Sequence, residues 1–201
     1  MMLKTHMVPR WGWLVALAVL TASPVAAQRI NFGAYTTSQG LSATVSGTLN
    51  FNAKQPVIVS NSNASVTIAL NESECQWIEI LGDATRDITI TITADPNLTI
   101  GAGGPGNEIP YACRFAYSNL GSPNASTAKG VAVEVPVGFT SITLPILRRT
   151  SGAPAPPPTP AHGGYAAPHA TAYLFIYGTL GPVGNVAAGY YTGTVNVHVQ
   201  Y

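Results

Sequence analysis

Apolar and polar residues alternate along much of this chain with a period of two. Leu41, Ala43, Val45, Gly47, Leu49 and Phe51 are separated by Ser42, Thr44, Ser46, Thr48 and Asn50. Strand side chains point alternately to opposite faces, so the first set is expected on a buried face and the second in water. Val66, Ile68 and Leu70 repeat the pattern, and Ile88, Ile90 and Ile92 alternate with Thr89, Thr91 and Thr93. The last strand is the clearest: Val195, Val197, Val199 and Tyr201 alternate with Thr194, Asn196, His198 and Gln200. Further strands are predicted at 57–59, 111–117, 131–137, 141–147 and 172–177. Pro136 cannot donate a ladder hydrogen bond, which predicts an edge or a bulge for its strand. Only in the stretch 75–86 does a helical turn compete, its pattern being ambiguous.

A strand with one apolar face must bury it against a second layer. About eight such strands predict an all-β fold, an antiparallel sandwich of one domain. Residues 101–107 are glycine-rich and read as a hairpin loop. Residues 152–170 hold Pro154, Pro156, Pro157, Pro158, Pro160 and Pro168. This Pro/Gly-rich stretch is expected to leave the sandwich as a semi-rigid surface insertion, the alternative being a partner-binding loop.

The N-terminus changes the picture of where this domain works. Lys4 and Arg10 precede an apolar run from Trp11 to about Ala22, followed by Ser23-Pro24-Val25-Ala26-Ala27. A basic start, a short apolar core and small residues at the cleavage position predict a secretory signal peptide over 1–27. The run falls short of the roughly 20 residues a spanning helix needs. Residues 28–201 would then form the mature domain, in a secreted location: periplasmic, extracellular or on the cell surface. Membrane contact is expected only during export. The whole chain has 9 Lys and Arg against 8 Asp and Glu. Losing Lys4 and Arg10 leaves one surplus acid, so net charge draws in neither nucleic acid nor an anionic bilayer.

Exported chains meet oxidising conditions, so Cys75 and Cys113 are expected to form one disulfide, with two separate thiols as the alternative. Closing that loop would contribute about 4 kcal/mol. Trp77 is expected to pack on the disulfide.

Catalytic chemistry is hard to find. His162 and His169 fall in the proline-rich loop, and their spacing fits no standard metal motif. His198 falls on the polar face of the last strand. No nucleophile signature appears, and the glycine-rich run at 101–106 lacks the Lys-Ser/Thr of a phosphate loop. The densest acidic stretch is Glu72, Glu74, Glu79, Asp83 and Asp87, read as solvated turn acids rather than a hydrolase pair or a calcium site. No catalytic residue, cofactor or metal is therefore expected. Tyr191 should face inward and Tyr190 outward, the latter with Tyr165 being a weak ligand platform. Asn-x-Ser/Thr triplets start at Asn63, Asn71, Asn97 and Asn124.

Both ends of the chain carry motifs. Tyr177-Gly178-Thr179-Leu180, then Ala188-Gly189-Tyr190-Tyr191-Thr192-Gly193-Thr194-Val195-Asn196-Val197, resembles the ending of bacterial secreted domains of the spore-coat-protein-U-like class. A related exported family of uncharacterised domains ends with a similar A-G-x-Y-T-G-T strand. Asn31-Phe32-Gly33-Ala34-Tyr35 resembles the motif that opens both. The residues that carry the likeness are Phe32, Gly33, Tyr177, Gly178, Gly189, Tyr191 and Gly193.

The resemblance implies an immunoglobulin-like sandwich similar to the pilins of the archaic chaperone–usher pathway. In that class a neighbour's N-terminal extension fills a groove as an added strand. Here only Gln28, Arg29 and Ile30 separate the expected cleavage point from Asn31-Phe32-Gly33, and a donor strand needs about ten alternating residues. The chain is thus expected to accept a strand rather than donate one, its partners being copies of itself or other appendage subunits. The leading expectation is a non-enzymatic extracellular or cell-surface structural protein, in its specific form a subunit of a surface appendage or filament. A secreted carbohydrate-binding module is the second reading, and a hydrolase built on the acids from Glu72 to Asp87 the third.

Overall fold

The computed structural model describes residues 24–25, 28–36, 38, 40–56, 58–59, 63–149 and 168–201. The expected leader lies outside these except for Pro24–Val25. The expected proline-rich loop lies outside them up to residue 167, taking His162 and Tyr165 with it.

In chain order the elements are β1 (Pro24–Val25), β2 (Gln28–Thr36), β3 (Ser42–Val45), β4 (Leu49–Asn50), α1 (Phe51–Lys54), β5 (Ile58–Val59), β6 (Val66–Ile68) and β7 (Gln76–Asp83). They continue with β8 (Asp87–Ala94), β9 (Asn97–Thr99), β10 (Glu108–Ser118), α2 (Ala125–Lys129), β11 (Val133–Glu134), β12 (Ser141–Pro145), β13 (His169–Leu180) and β14 (Tyr191–Gln200). The fold is all-β, as the alternation predicts.

One layer runs β4-β2-β14-β8-β12 and the other β3-β7-β13-β10-β11. The layers are joined through β10, whose first residues pair with β9 and whose remainder pairs with β13. β6 extends the second layer, pairing with β13 beyond the end of β7. β1 and β5 form a separate two-stranded pair.

Facing inward from the first layer are Ile88, Ile90 and Ile92 of β8 and Val195, Val197 and Val199 of β14, all buried. Opposite them stand Ile78 and Ile80 of β7 and Leu174 and Ile176 of β13, completely buried. Each such side chain contributes roughly 1.5–3 kcal/mol by leaving water. The outer face of the first layer is polar: Thr89 and Thr143 share a hydroxyl–hydroxyl hydrogen bond at 3.0 Å, and Tyr35 stacks on His198 at 4.8 Å.

β13 differs from its neighbours in being buried on both faces. Tyr173, Phe175 and Tyr177 point away from the sandwich core yet are buried too, with Tyr173 and Phe175 stacked at 6.3 Å. This explains its sequence, a continuous apolar run rather than an alternating one.

Several expectations need correction. The alternating segment 41–51 is not one strand: β3 pairs with β7 in one layer and β4 with β2 in the other. The chain changes layer between them, while its odd-numbered residues stay on the inner side. Residues 76–83 form a strand and no helical turn, because Ile78 and Ile80 face the core while Trp77 and Leu81 obscure the alternation from the other side. The sandwich is not wholly antiparallel, since β2 and β14 run parallel over nine register pairs, Gln28↔Tyr191 to Thr36↔Val199. His169 is not in a loop but begins β13 opposite Asp83. The strand before Pro136 shrinks to two residues at the edge of its layer.

Gly178 marks the tightest backbone approach within β13. A Cβ there would lie 2.2 Å from the carbonyl oxygen of Ala112 on the paired strand. Gly178→Ala is expected to lower stability by about 1–3 kcal/mol, as overpacking does. Urea denaturation checks this: the midpoint should fall with an unchanged slope.

Candidate functional site

The end motifs form one structural unit. Phe32 is in register with Val195 and Gly33 with Asn196, so the first and last strands meet along their motif residues. Tyr191 is fully buried and Tyr190 is 65% exposed, matching the expected inward and outward placement. Tyr177 and Gly178 lie in the other layer, on β13. At Gly189 an added Cβ would lie 2.2 Å from Ile100 Cδ1, whereas at Gly193 it would make only ordinary contacts.

The expected disulfide is not formed: Cys75 and Cys113 are free thiols. Cys113 lies on β10 opposite Gly178 of β13, while Cys75 immediately precedes β7 on the other edge of β13. Two strand spacings separate such positions by about 10 Å, beyond disulfide reach. Trp77 consequently packs on no disulfide; it is half-buried opposite Phe175. The Tyr111 hydroxyl lies 3.2 Å from Cys113 Sγ and 3.3 Å from the carbonyl oxygen of Tyr177. Burial pushes the Cys75 thiol up to about 11 and the Cys113 thiol up to about 12.

The acids between Glu72 and Asp87 do not converge on a common point. Glu72 pairs with Lys54, and this contact, followed by the Ala69 N–H, lowers its pKa. Glu74 accepts from Ser73 Oγ at 2.8 Å. Glu79 is exposed opposite Tyr173. Asp83 accepts from the Thr85 N–H and hydroxyl, and Asp87 pairs with Arg149 at 2.7 Å. Among the described residues no group of three or more His, Cys, Asp or Glu side chains could hold a metal ion.

Two concave features remain. The first is a cleft of about 490 Å³ between the outermost strands of the two layers, β11 and β12. Among the described residues β11 pairs only with β10 and β12 only with β8, so each leaves one edge unpaired. The cleft is lined by Val133, Val135, Pro136, Phe139, Ile142 and Leu144. Within this lining Phe139 is 58% exposed and Val133 52%. A second hollow of about 320 Å³ continues it past Tyr117 and Val133 to Leu120 and Arg148. There Asn119 draws the layers together, donating to the Pro145 carbonyl at 2.8 Å and accepting from the Arg148 N–H at 2.7 Å. The sandwich is pinned at Asn119 and open toward Phe139.

The second feature is a cavity of about 510 Å³ on the outer side of β13. Arg114, Lys129, Glu134 and Tyr177 converge there with Thr67 and Thr179. Tyr177 donates to Glu134 Oε1 at 2.7 Å and Arg114 approaches Glu134 Oε2 at 3.4 Å. Burial, then the Glu134 hydrogen bond, holds the Tyr177 phenol well above its ordinary pKa. Lys129 donates to the Glu72 carbonyl at 2.9 Å. Sequence reading missed this grouping because its members come from five separate elements, β6, β10, α2, β11 and β13. No protein-family model matches the chain, and no curated protein matches it in sequence.

The thiols set an expected pH dependence. Unfolded, each ionises near 9.0, whereas the folded chain holds both protons to about 11 and about 12. The folded state then binds more protons, so stability is full below pH 9 and falls as pH rises toward 12. Alkylation at about pH 8 should be slow in the folded protein and label both cysteines on unfolding, without reductant. A chain that needs reductant before it labels would contradict the free thiols.

Proposed function

We propose that this chain is a non-enzymatic structural protein of the cell exterior, a subunit of a surface appendage that receives an extended segment from a neighbouring subunit. The observation that carries this reading is the cleft between β11 and β12. It combines two features that need covering: an unpaired strand edge and exposed apolar side chains. A strand laid along β12 would satisfy its outward N–H and C=O groups. It would also cover Phe139 and Ile142 in the same event, main-chain bonds giving affinity and alternate side chains giving register. The leader expected at 1–27 supports export, and the resemblance of the two end motifs to pilin-like domains supports assembly by strand addition. The receiving edge is nevertheless β12, because β14 already has β2 and β8 on its two sides.

A second reading is favoured by the cavity beside Tyr177. Its volume lies within the range of small-ligand sites, and Arg114 and Lys129 outnumber Glu134. A carbohydrate-binding module with this lining would prefer an acidic sugar, because a guanidinium pairs bidentately with a carboxylate. Titration with galacturonate and galactose separates the readings, since a pure structural subunit binds neither.

The structural reading is tested by light scattering coupled to size exclusion, with electron microscopy of the producing cells. The protein is expected to associate with rising concentration and to be found in surface filaments. Val133→Asp with Phe139→Asp should abolish association while leaving the circular dichroism spectrum unchanged, because both residues are exposed. A strictly monomeric protein on cells without filaments contradicts it.

A further inference from the structure

Gln28 opens β2 opposite Tyr191 and is completely buried, yet neither its side-chain oxygen nor its side-chain nitrogen has a hydrogen-bond partner. Its main-chain N–H, in contrast, donates to Asn52 Oδ1. A buried amide without partners is costly, and native chains rarely tolerate one. Asn52 sits in α1, whose cap Asn50 accepts from the Asn52 N–H at 3.1 Å, so the acceptor facing Gln28 is held in place.

The export reading makes Gln28 the first residue of the processed chain, and the present inference rests on that reading. Cleavage after Ala27 would remove the β1–β5 pair and turn the buried Gln28 N–H into an α-ammonium group. A charge at a buried position costs more than an orphaned amide. Both costs have one remedy. We propose that Gln28 is a modification site at which the new α-amine closes onto the side-chain amide to form pyroglutamate.

The amine nitrogen attacks Cδ, the N–Cδ bond forms, the Cδ–Nε2 bond breaks, and Nε2 leaves as ammonia with the proton given up by the amine. Nothing is oxidised or reduced, and no co-reactant is consumed. The ring carries no ionisable amine and no orphaned NH2 group. One N–H remains, on the nitrogen that already donates to Asn52 Oδ1. The reaction therefore removes the charge and the orphaned Nε2, while Oε1 stays as the lactam carbonyl.

Mass spectrometry tests this on protein expressed with its own leader and recovered from the exported fraction. The N-terminal peptide is expected to begin at residue 28 and to weigh about 17 Da less than its Gln form, the mass of ammonia. It should also resist aminopeptidase. A free Gln28 amine overturns the inference and leaves the export reading standing, whereas a chain beginning elsewhere overturns both. Gln28→Ser is the second arm, since serine cannot cyclise. It should be exported with a lower melting temperature, and an unchanged one would contradict the burial argument.

Discussion

The parallel pairing of β2 with β14 is the constraint on which the rest of this structure depends. It joins residues 28–36 to 191–199, almost the full length of the described chain. Such a contact carries a large loop-closure cost and gains little from local propensity. It is held by what the two strands bury together: Ile30, in register with Gly193, and Val195, Val197 and Val199 along β14, all at the core. Once β14 is fixed, β8 pairs along its other edge and β12 follows β8. That order of neighbours leaves β12 as the open rim of the first layer.

The rim has a counterpart. In the second layer β13 is central, and β10 beyond it carries β11 as a short outer edge. A two-residue strand followed by Pro136 is too short to shield the core from that side. Val131, Val133, Val137 and Phe139 lie along this side without being covered. The cleft thus follows from the topology: one layer is closed by its own first strand, while the opposite side lacks an equivalent closure. Asn119 limits the opening by bonding to both Pro145 and Arg148.

Much of this was legible in the sequence, and the failures have physical causes. The threonine–isoleucine alternation of 88–93 located β8 because one of its faces is polar. Residues 172–177 named a strand but hid that both its faces are covered, since a continuous apolar run cannot say what lies on its second side. The run Val131, Val133, Val135, Val137 looked like a full strand, yet only Val135 is buried. Period two reports which residues share a face, not whether a second layer reaches that face. The segment 41–51 kept its period while changing layers, a change that parity cannot register. The Cys75–Cys113 disulfide failed because compartment and count carry no information about the strand between them. The cavity around Tyr177 was invisible because Arg114, Glu134 and Thr67 are brought together only by the ladder across β6, β13, β10 and β11, with Lys129 added from the end of α2.

Hydrogen exchange on the native protein, followed in peptides spanning 28–36 and 191–200, measures the central pairing directly. If the first strand is consumed by its own fold, the two segments open together and the 28–36 peptides exchange as slowly as those of β14. If 28–36 exchanges fully within seconds while 191–200 stays protected, the first strand is not locked against the last. The β14 edge would then be free to take a neighbour's strand, contradicting the assignment of the receiving edge to β12.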